Sequence, residues 1–194
     1  STSDAERILS DGSIDGVFII TGPSHHARLA AAAAGAGKHI FMEKPLALDV
    51  GGARDIEKAV LDSGVKFQLG FCFRFGPIVR RAKELIGSPD ISLCQCAGTI
   101  AEQACHNLDL LLNVFHDAEL VSIQAMGGRF DPEPPTFRTP HTTHEIDSFT
   151  ANLSFSDGSV STYIQHGVGW NPVLKKYHMQ FFKKDICVYL AERF

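Results

Sequence analysis

Three stretches of this sequence carry residue types that could do chemistry together. The first is Glu43-Lys44-Pro45, at the C-terminal end of the short run His39 to Glu43. A lysine beside a carboxylate at a strand end can orient a substrate hydroxyl. The proline fixes the turn and admits a cis bond. The simplest structural reading is a solvated charge pair at a strand end. The second stretch is Glu102, Cys105 and His106, with Asp109 and Asn113 continuing the same stripe. Glu102 and His106 stand at i, i+4, so a carboxylate one turn away could orient a histidine acid/base. The plainer reading is the wet side of an amphipathic helix, opposite Leu108, Leu111, Leu112 and Phe115. The third is Thr21-Gly22-Pro23-Ser24-His25-His26, between a strand and a helix. Backbone N–H groups at a helix start suit a phosphate or a cofactor edge; the alternative is a capped turn with exposed histidines. A fourth group, His141, His144 and Glu145, with Cys94-x-Cys96 elsewhere, lacks a standard zinc spacing, and no metal site is assigned.

The elements that must position these residues follow from periodicity. Asp15 to Thr21 is a short β-branched run, as a buried parallel strand should be. Ser24 can N-cap a helix from His25 to about Ala36, which is apolar nearly all round and therefore expected to be buried. Gly37 offers its C-cap. Asp49 can cap the next helix, whose inner face is Ala53, Ile56 and Val60. Lys66 to Phe71 reads as a third strand. Strand–helix–strand–helix–strand predicts a parallel sheet with helical crossovers. Residues 1–12 read as the end of a helix, and no G-x-G-x-x-G is present.

Near Cys72 the pattern changes. Helices are predicted over Pro77–Ile86 and about Ala101–Phe115, with a short strand near Ile91–Cys96. Asp131 to Pro140 reads as a loop. Alternation over Ser148–Phe155 and Val160–Ile164, around the hairpin signal Asp157-Gly158, predicts antiparallel strands with one buried face. Two more strands are expected at Tyr177–Phe182 and Ile186–Leu190. The fold class is thus a partial α/β Rossmann-like unit, residues 1–72, followed by an α+β domain with an open-faced antiparallel sheet, residues 73–194.

Composition limits the function classes. The 194 residues include 22 acidic and 18 basic ones, a net charge of −4, which gives nucleic-acid binding no electrostatic support. No apolar run approaches the roughly 18–20 residues of a membrane span. The opening Ser1-Thr2-Ser3-Asp4 does not read as a signal peptide. Five scattered cysteines without a C-x-x-C pair predict reduced thiols and a cytoplasmic setting.

Taken in order, I-D-G-V-x-I-x-T, T-x-x-x-x-H, A-G-K-H-I-x-x-E-K-P, R-F-x-P and E-Q-A-x-H-N-x-D resemble the Gfo/Idh/MocA family of NAD(P)-dependent oxidoreductases. The E-K-P end after A-G-K-H is the most specific part. The resemblance implies an NAD or NADP enzyme acting on the CH–OH group of a sugar, polyol or related compound. It implies that Thr21, Pro23 and His26 lie along the cofactor, that Glu43 and Pro45 shape the nicotinamide pocket, and that Lys44 and Arg74 belong to the cofactor-binding set. Lys44 would hydrogen-bond the reacting hydroxyl, and His106 would take its proton with Glu102 one turn before it. The open-faced sheet implies a homodimer or homotetramer. Three departures stand out: the glycine loop is absent, so roughly 60 residues of a usual half-Rossmann are not in the chain; the stretch Cys94–Gly98 is short; and Cys72 stands where asparagine is common. These departures leave two other readings, a dinucleotide-sensing or scaffold member without turnover and an inactive fragment. A zinc hydrolase would require His141 and His144 to converge with further ligands.

Overall fold

The computed structural model describes residues 4–97, 104–130, 146–166 and 177–191. The chain divides into two compact units, Ser1–Phe71 and Cys72–Phe194.

The first unit runs α1 (Ala5–Leu9), β1 (Gly16–Ile19), a 3-10 turn (Pro23–His25), α2 (His26–Gly35), β2 (His39–Met42), α3 (Val50–Ser63) and β3 (Phe67–Leu69). The three strands are parallel in the order β1-β2-β3, so all three C-terminal ends lie along one edge. Ile19, Ile40 and Met42 on the sheet, Ala30, Ala33 and Ala34 on α2, and Ile56 on α3 form the core. Gly37 takes the left-handed φ of +71° that ends α2, with its N–H on Ala34 O and that of Lys38 on Ala33 O, both 2.9 Å. Asp49 caps α3 as its side chain accepts from Gly52 N at 2.8 Å.

Two expectations need correction here. Ser24 does not cap α2: it sits inside the 3-10 turn, and the helix starts at His26 without a side-chain cap. Nor is α2 buried all round. Only His26, Ala30, Ala33 and Ala34 are buried, because a helix laid on a three-stranded sheet beside one neighbour covers only one side. The sheet behaves likewise: on its other face Phe18 is 73% exposed, its ring 5.2 Å from that of Phe41.

The second unit holds α4 (Pro77–Ile86), β4 (Ile91–Ala97), α5 (Cys105–Leu110) running into a π-type turn (Leu111–Phe115), and the strands β5 (Leu120–Gly128), β6 (Ser148–Phe155), β7 (Val160–His166), β8 (Tyr177–Lys183) and β9 (Ile186–Ala191). They form one six-stranded sheet, β5-β6-β7-β4-β8-β9. It is mixed rather than antiparallel, because β4 and β7 pair in parallel. Parallel neighbours need a long crossover, and the chain between β4 and β7 carries a helix and two further strands. Between β6 and β7 the Asp157-Gly158 turn forms as expected, with Gly158 at φ +85° and Asp157 Oδ1 accepting from Ser159 N at 2.9 Å. One sheet face and the helices enclose the core, where the rings of Phe115 and Phe181 stack at 3.9 Å.

The stripe expected to face water is buried at His106 and Asp109, half-buried at Cys105 and exposed, as expected, at Asn113. His106, Asn107 and Asp109 are all covered. A 3-10 turn, Cys72–Phe75, lies over this side of the helix. The start of the expected helix, residues 101–103, lies outside the described residues, as does the 131–140 loop.

A buried histidine pins this unit together. Hydrogen bonds join His116 Nε2 to Ser92 Oγ (3.0 Å) and Nδ1 to Ser159 Oγ (3.1 Å), and its ring stacks on Phe155 at 3.9 Å. Burial holds its pKa below the usual histidine value; Lys83 adds to this, while Asp157 and Asp117 oppose it. The folded pKa thus lies below the unfolded one. The stability it contributes is complete above the unfolded value and is lost as the pH falls through the folded value. The urea midpoint of the protein is expected to drop between about pH 8 and about pH 5 more steeply than that of H116Q. Parallel curves for the two would remove His116 as the cause.

Candidate active site

Within the first unit the candidate residues gather at the C-terminal edge of the parallel sheet. Thr21 and Gly22 follow β1, Glu43-Lys44-Pro45 follows β2, and Gly70 follows β3. Glu43 N donates to Ile19 O at 2.9 Å and Gly70 N to Met42 O at 2.8 Å, so the three strand ends are laced together. Gly70 leaves little room for a side chain, since a Cβ there would lie 3.3 Å from Met42 O. Glu43 Oε2 accepts from Lys44 N at 3.1 Å, and the Lys44–Pro45 peptide is cis. Lys44 and Pro45 are half-buried, and Thr21 is exposed.

His26 is fully buried. Its Nδ1 lies 2.8 Å from Pro45 O and its Nε2 3.0 Å from Thr21 O. One ring N–H donates to one of these carbonyls and the other nitrogen lies against the second, so the covered ring bridges the loop after β1 and the loop after β2. His26 thus lies between the two loops that flank the edge where the sequence places the cofactor.

Ligands of open parallel sheets lie beyond this edge. A flat ring with hydrogen-bonding substituents fits the chemistry gathered here: exposed Thr21 and Gly22, a half-buried proline, a carboxylate and an ammonium. A pyrophosphate is a different matter, because the chain has no G-x-G-x-x-G. The residues at this edge thus suit the ring end of a dinucleotide.

In the second unit His106 is 6% exposed. Phe73 covers its ring, with centroids 4.3 Å apart and planes at 21°. Arg74 donates through Nε to Asp109 Oδ2 at 2.9 Å and through Nη2 to Asp109 Oδ1. Asn113 Nδ2 adds a bond of 3.1 Å to the same carboxylate. Behind the helix Tyr163 donates to Gln165 Oε1 at 2.8 Å, and burial pushes its hydroxyl far above the usual tyrosine range, so it stays a neutral donor. Glu102 lies outside the described residues.

Sequence reading missed the Phe73 stack and placed Asp109 on a wet stripe. The signal was available in the paired spacing of Arg74 and Asp109 within R-F-x-P and H-N-x-D, but it requires knowing that the two segments touch. Cys94 and Cys96 are core residues, and burial pushes the Cys94 thiol well up. Among the described residues no group of three His, Cys, Asp or Glu could hold a metal, and His141, His144 and Glu145 lie outside them. No helix among the described residues is long and apolar enough to cross a membrane.

Residues 1–71 match the model of the oxidoreductase family with an NAD-binding Rossmann fold, GFO_IDH_MocA. The chain is 26% identical over 179 residues to an uncharacterized oxidoreductase, YrbE, of Bacillus subtilis, an alignment covering 82% of this chain and 51% of that one. It is 38% identical over 90 residues to the scyllo-inositol 2-dehydrogenase (NAD(+)) of the same organism, covering 46% of this chain and 26% of that one. Its fold matches that of UDP-N-acetylglucosamine 3-dehydrogenase from Acidithiobacillus ferrooxidans with a TM-score of 0.79 at 22% identity, over 98% of this chain and 62% of that one. The chain thus spans about half the length, or less, of these curated relatives.

Proposed function

We propose that this chain, residues 1–71 of which belong to the Gfo/Idh/MocA oxidoreductase family, forms part of an NAD(P)-dependent dehydrogenase or reductase. Its substrate is a sugar, a polyol or a related hydroxyl or carbonyl compound. The observation that carries this reading is the His26 tie, which holds Glu43-Lys44-Pro45 and Thr21 together at the C-terminal edge of a parallel sheet.

The nicotinamide, when bound, takes up or supplies the hydride. The chain's own residues supply the rest. Thr21 and Pro23 border the cofactor, and Glu43 and Pro45 shape its ring pocket. Lys44 donates to the reacting hydroxyl, and its positive charge favours the alkoxide form over the alcohol. His106 accepts the proton, a role suited to a group whose ordinary pKa is near neutrality. Glu102 orients His106 from one turn before it. Intact Lys44 and His106 favour turnover over a purely sensing role.

The second unit holds the substrate and builds a homodimer or homotetramer. Its mixed sheet supports this, because Ile91, Leu93 and Phe182 stand exposed on it. Cysteines without disulfides support a cytoplasmic setting.

Titrating the complete polypeptide with NADH and NADPH, read by fluorescence, tests the cofactor assignment. Saturable binding of one or both is expected. A protein shown folded by circular dichroism that binds neither would overturn it.

A further inference from the structure

We infer that Phe73 and Arg74 are positioning residues for His106, and that the Arg74–Asp109 pair sets the charge the histidine feels. This rests on the acid/base reading of His106 and goes beyond it.

The two residues are neighbours on the 3-10 turn Cys72–Phe75, and they grip α5 at two points. Phe73 lies on the imidazole face at 4.3 Å with planes 21° apart. A ring held flat in this way can form hydrogen bonds only in its own plane, so the stack fixes the directions in which the two nitrogens reach. Arg74 forks onto Asp109, which stands at i+3 from His106 and shares its face of the helix. Asn113, a further turn along, also donates to Asp109. The turn is anchored in its turn: Gly76 N donates to Phe73 O at 3.0 Å, and the chain enters α4, where Val79, Ala82 and Ile86 are buried in the same core. The position of the clamp is therefore set by core packing and not by surface contacts.

The pair is unequal in its surroundings. The Asp109 side chain is 1% exposed and that of Arg74 is 30% exposed. A carboxylate so covered depends on its guanidinium, and removing one partner leaves the other as a net charge one turn from the histidine. The guanidinium fork matters as well as the charge, because an ammonium cannot make two parallel bonds to one carboxylate.

Opposite substitutions therefore have opposite effects on proton affinity. R74A leaves the Asp109 charge and raises the His106 titration midpoint. D109N leaves the Arg74 charge and lowers it. Each shift is expected to be roughly half a unit or more. The midpoint is read by NMR from the His106 ring Cε1–H signal, identified by its loss in H106Q, and again from the acid limb of kcat. The double variant R74A/D109N returns the midpoint toward its native value. R74K keeps the charge and loses the fork, so the midpoint holds while kcat falls about tenfold, with less change in KM. F73L also lowers kcat, and F73Y restores it.

Shifts of R74A and D109N in the same direction, or no shift in either, overturn the charge coupling. Native kcat in R74K and F73L overturns the positioning role. Native turnover in H106Q fails the acid/base reading itself, a result the R74K and F73L data cannot mimic.

Discussion

H106A is expected to lower kcat by roughly 10²-fold or more, and K44A to do the same, with much smaller changes in the Kd for NAD(H). The two losses have different origins. Removing His106 leaves the hydroxyl proton without an acceptor, so hydride departure would have to create a free alkoxide or wait for water. Removing Lys44 leaves the acceptor in place but takes away the positive charge that favours the alkoxide. Neither residue is assigned to holding the cofactor's phosphates, so binding survives. H106Q serves as a second variant, because it keeps a polar side chain in a position that is nearly closed to water. Steady-state kinetics beside NADH fluorescence titrations separates the two quantities. Wild-type turnover in both K44A and H106A contradicts the assignment.

The second large effect is expected at His26. In H26A the Thr21 and Pro45 carbonyls lose the ring nitrogens that lie 3.0 and 2.8 Å away, and a cavity replaces a fully buried ring. The lost packing and the orphaned acceptor together cost the first unit about 2–4 kcal/mol. The functional effect follows from the same loss. The loops after β1 and β2 are no longer tied, so residues that border the cofactor ring are free to separate. Affinity for NAD(H) is expected to fall about tenfold or more, the scale of one or two hydrogen bonds left unmade. H26Q, which retains a donor, is expected to recover part of both losses. Urea unfolding and fluorescence titration check the two effects. An H26A protein as stable as the wild type, with unchanged cofactor affinity, would show that the tie holds nothing.

Much of this framework was legible in the residues, for reasons that can be named. The bounds of α4, Pro77–Ile86, follow from a proline at its first position and a glycine just past its end. Asp49, Gly37 and the Asp157-Gly158 turn are local signals whose hydrogen bonds form within a few residues, so no tertiary knowledge was needed. The strand β5 was missed because all but its last residue is exposed and no buried alternation marks it. The parallel pairing of β4 with β7 depends on how the chain crosses the sheet, which periodicity along one strand does not encode.

The site was legible in part. Glu43-Lys44-Pro45 at a strand end was readable because parallel strands fix which edge a loop occupies. The burial of His106 and Asp109 was not readable, because an amphipathic pattern says which side of a helix is polar, not what lies over it. Here a turn from a distant segment covers that side with an aromatic ring and a guanidinium. Two members of a polar stripe that would be wet on an isolated helix, His106 and Asp109, are thereby buried, while Asn113 stays exposed. Similarly, Thr21-Gly22-Pro23-Ser24 suggested a capped turn, whereas the fold gives the structural role to His26 two residues later.

The most direct test of the account follows the fate of the hydride. The complete polypeptide, given NAD or NADP and a panel of sugars and polyols deuterated at their carbinol carbons, is expected to form reduced nicotinamide with at least one of them. The deuterium should appear on the nicotinamide ring, and H106A should lose the reaction. A folded protein that binds NADH yet transfers no deuterium from any member of the panel would contradict the assignment of hydride transfer to this site.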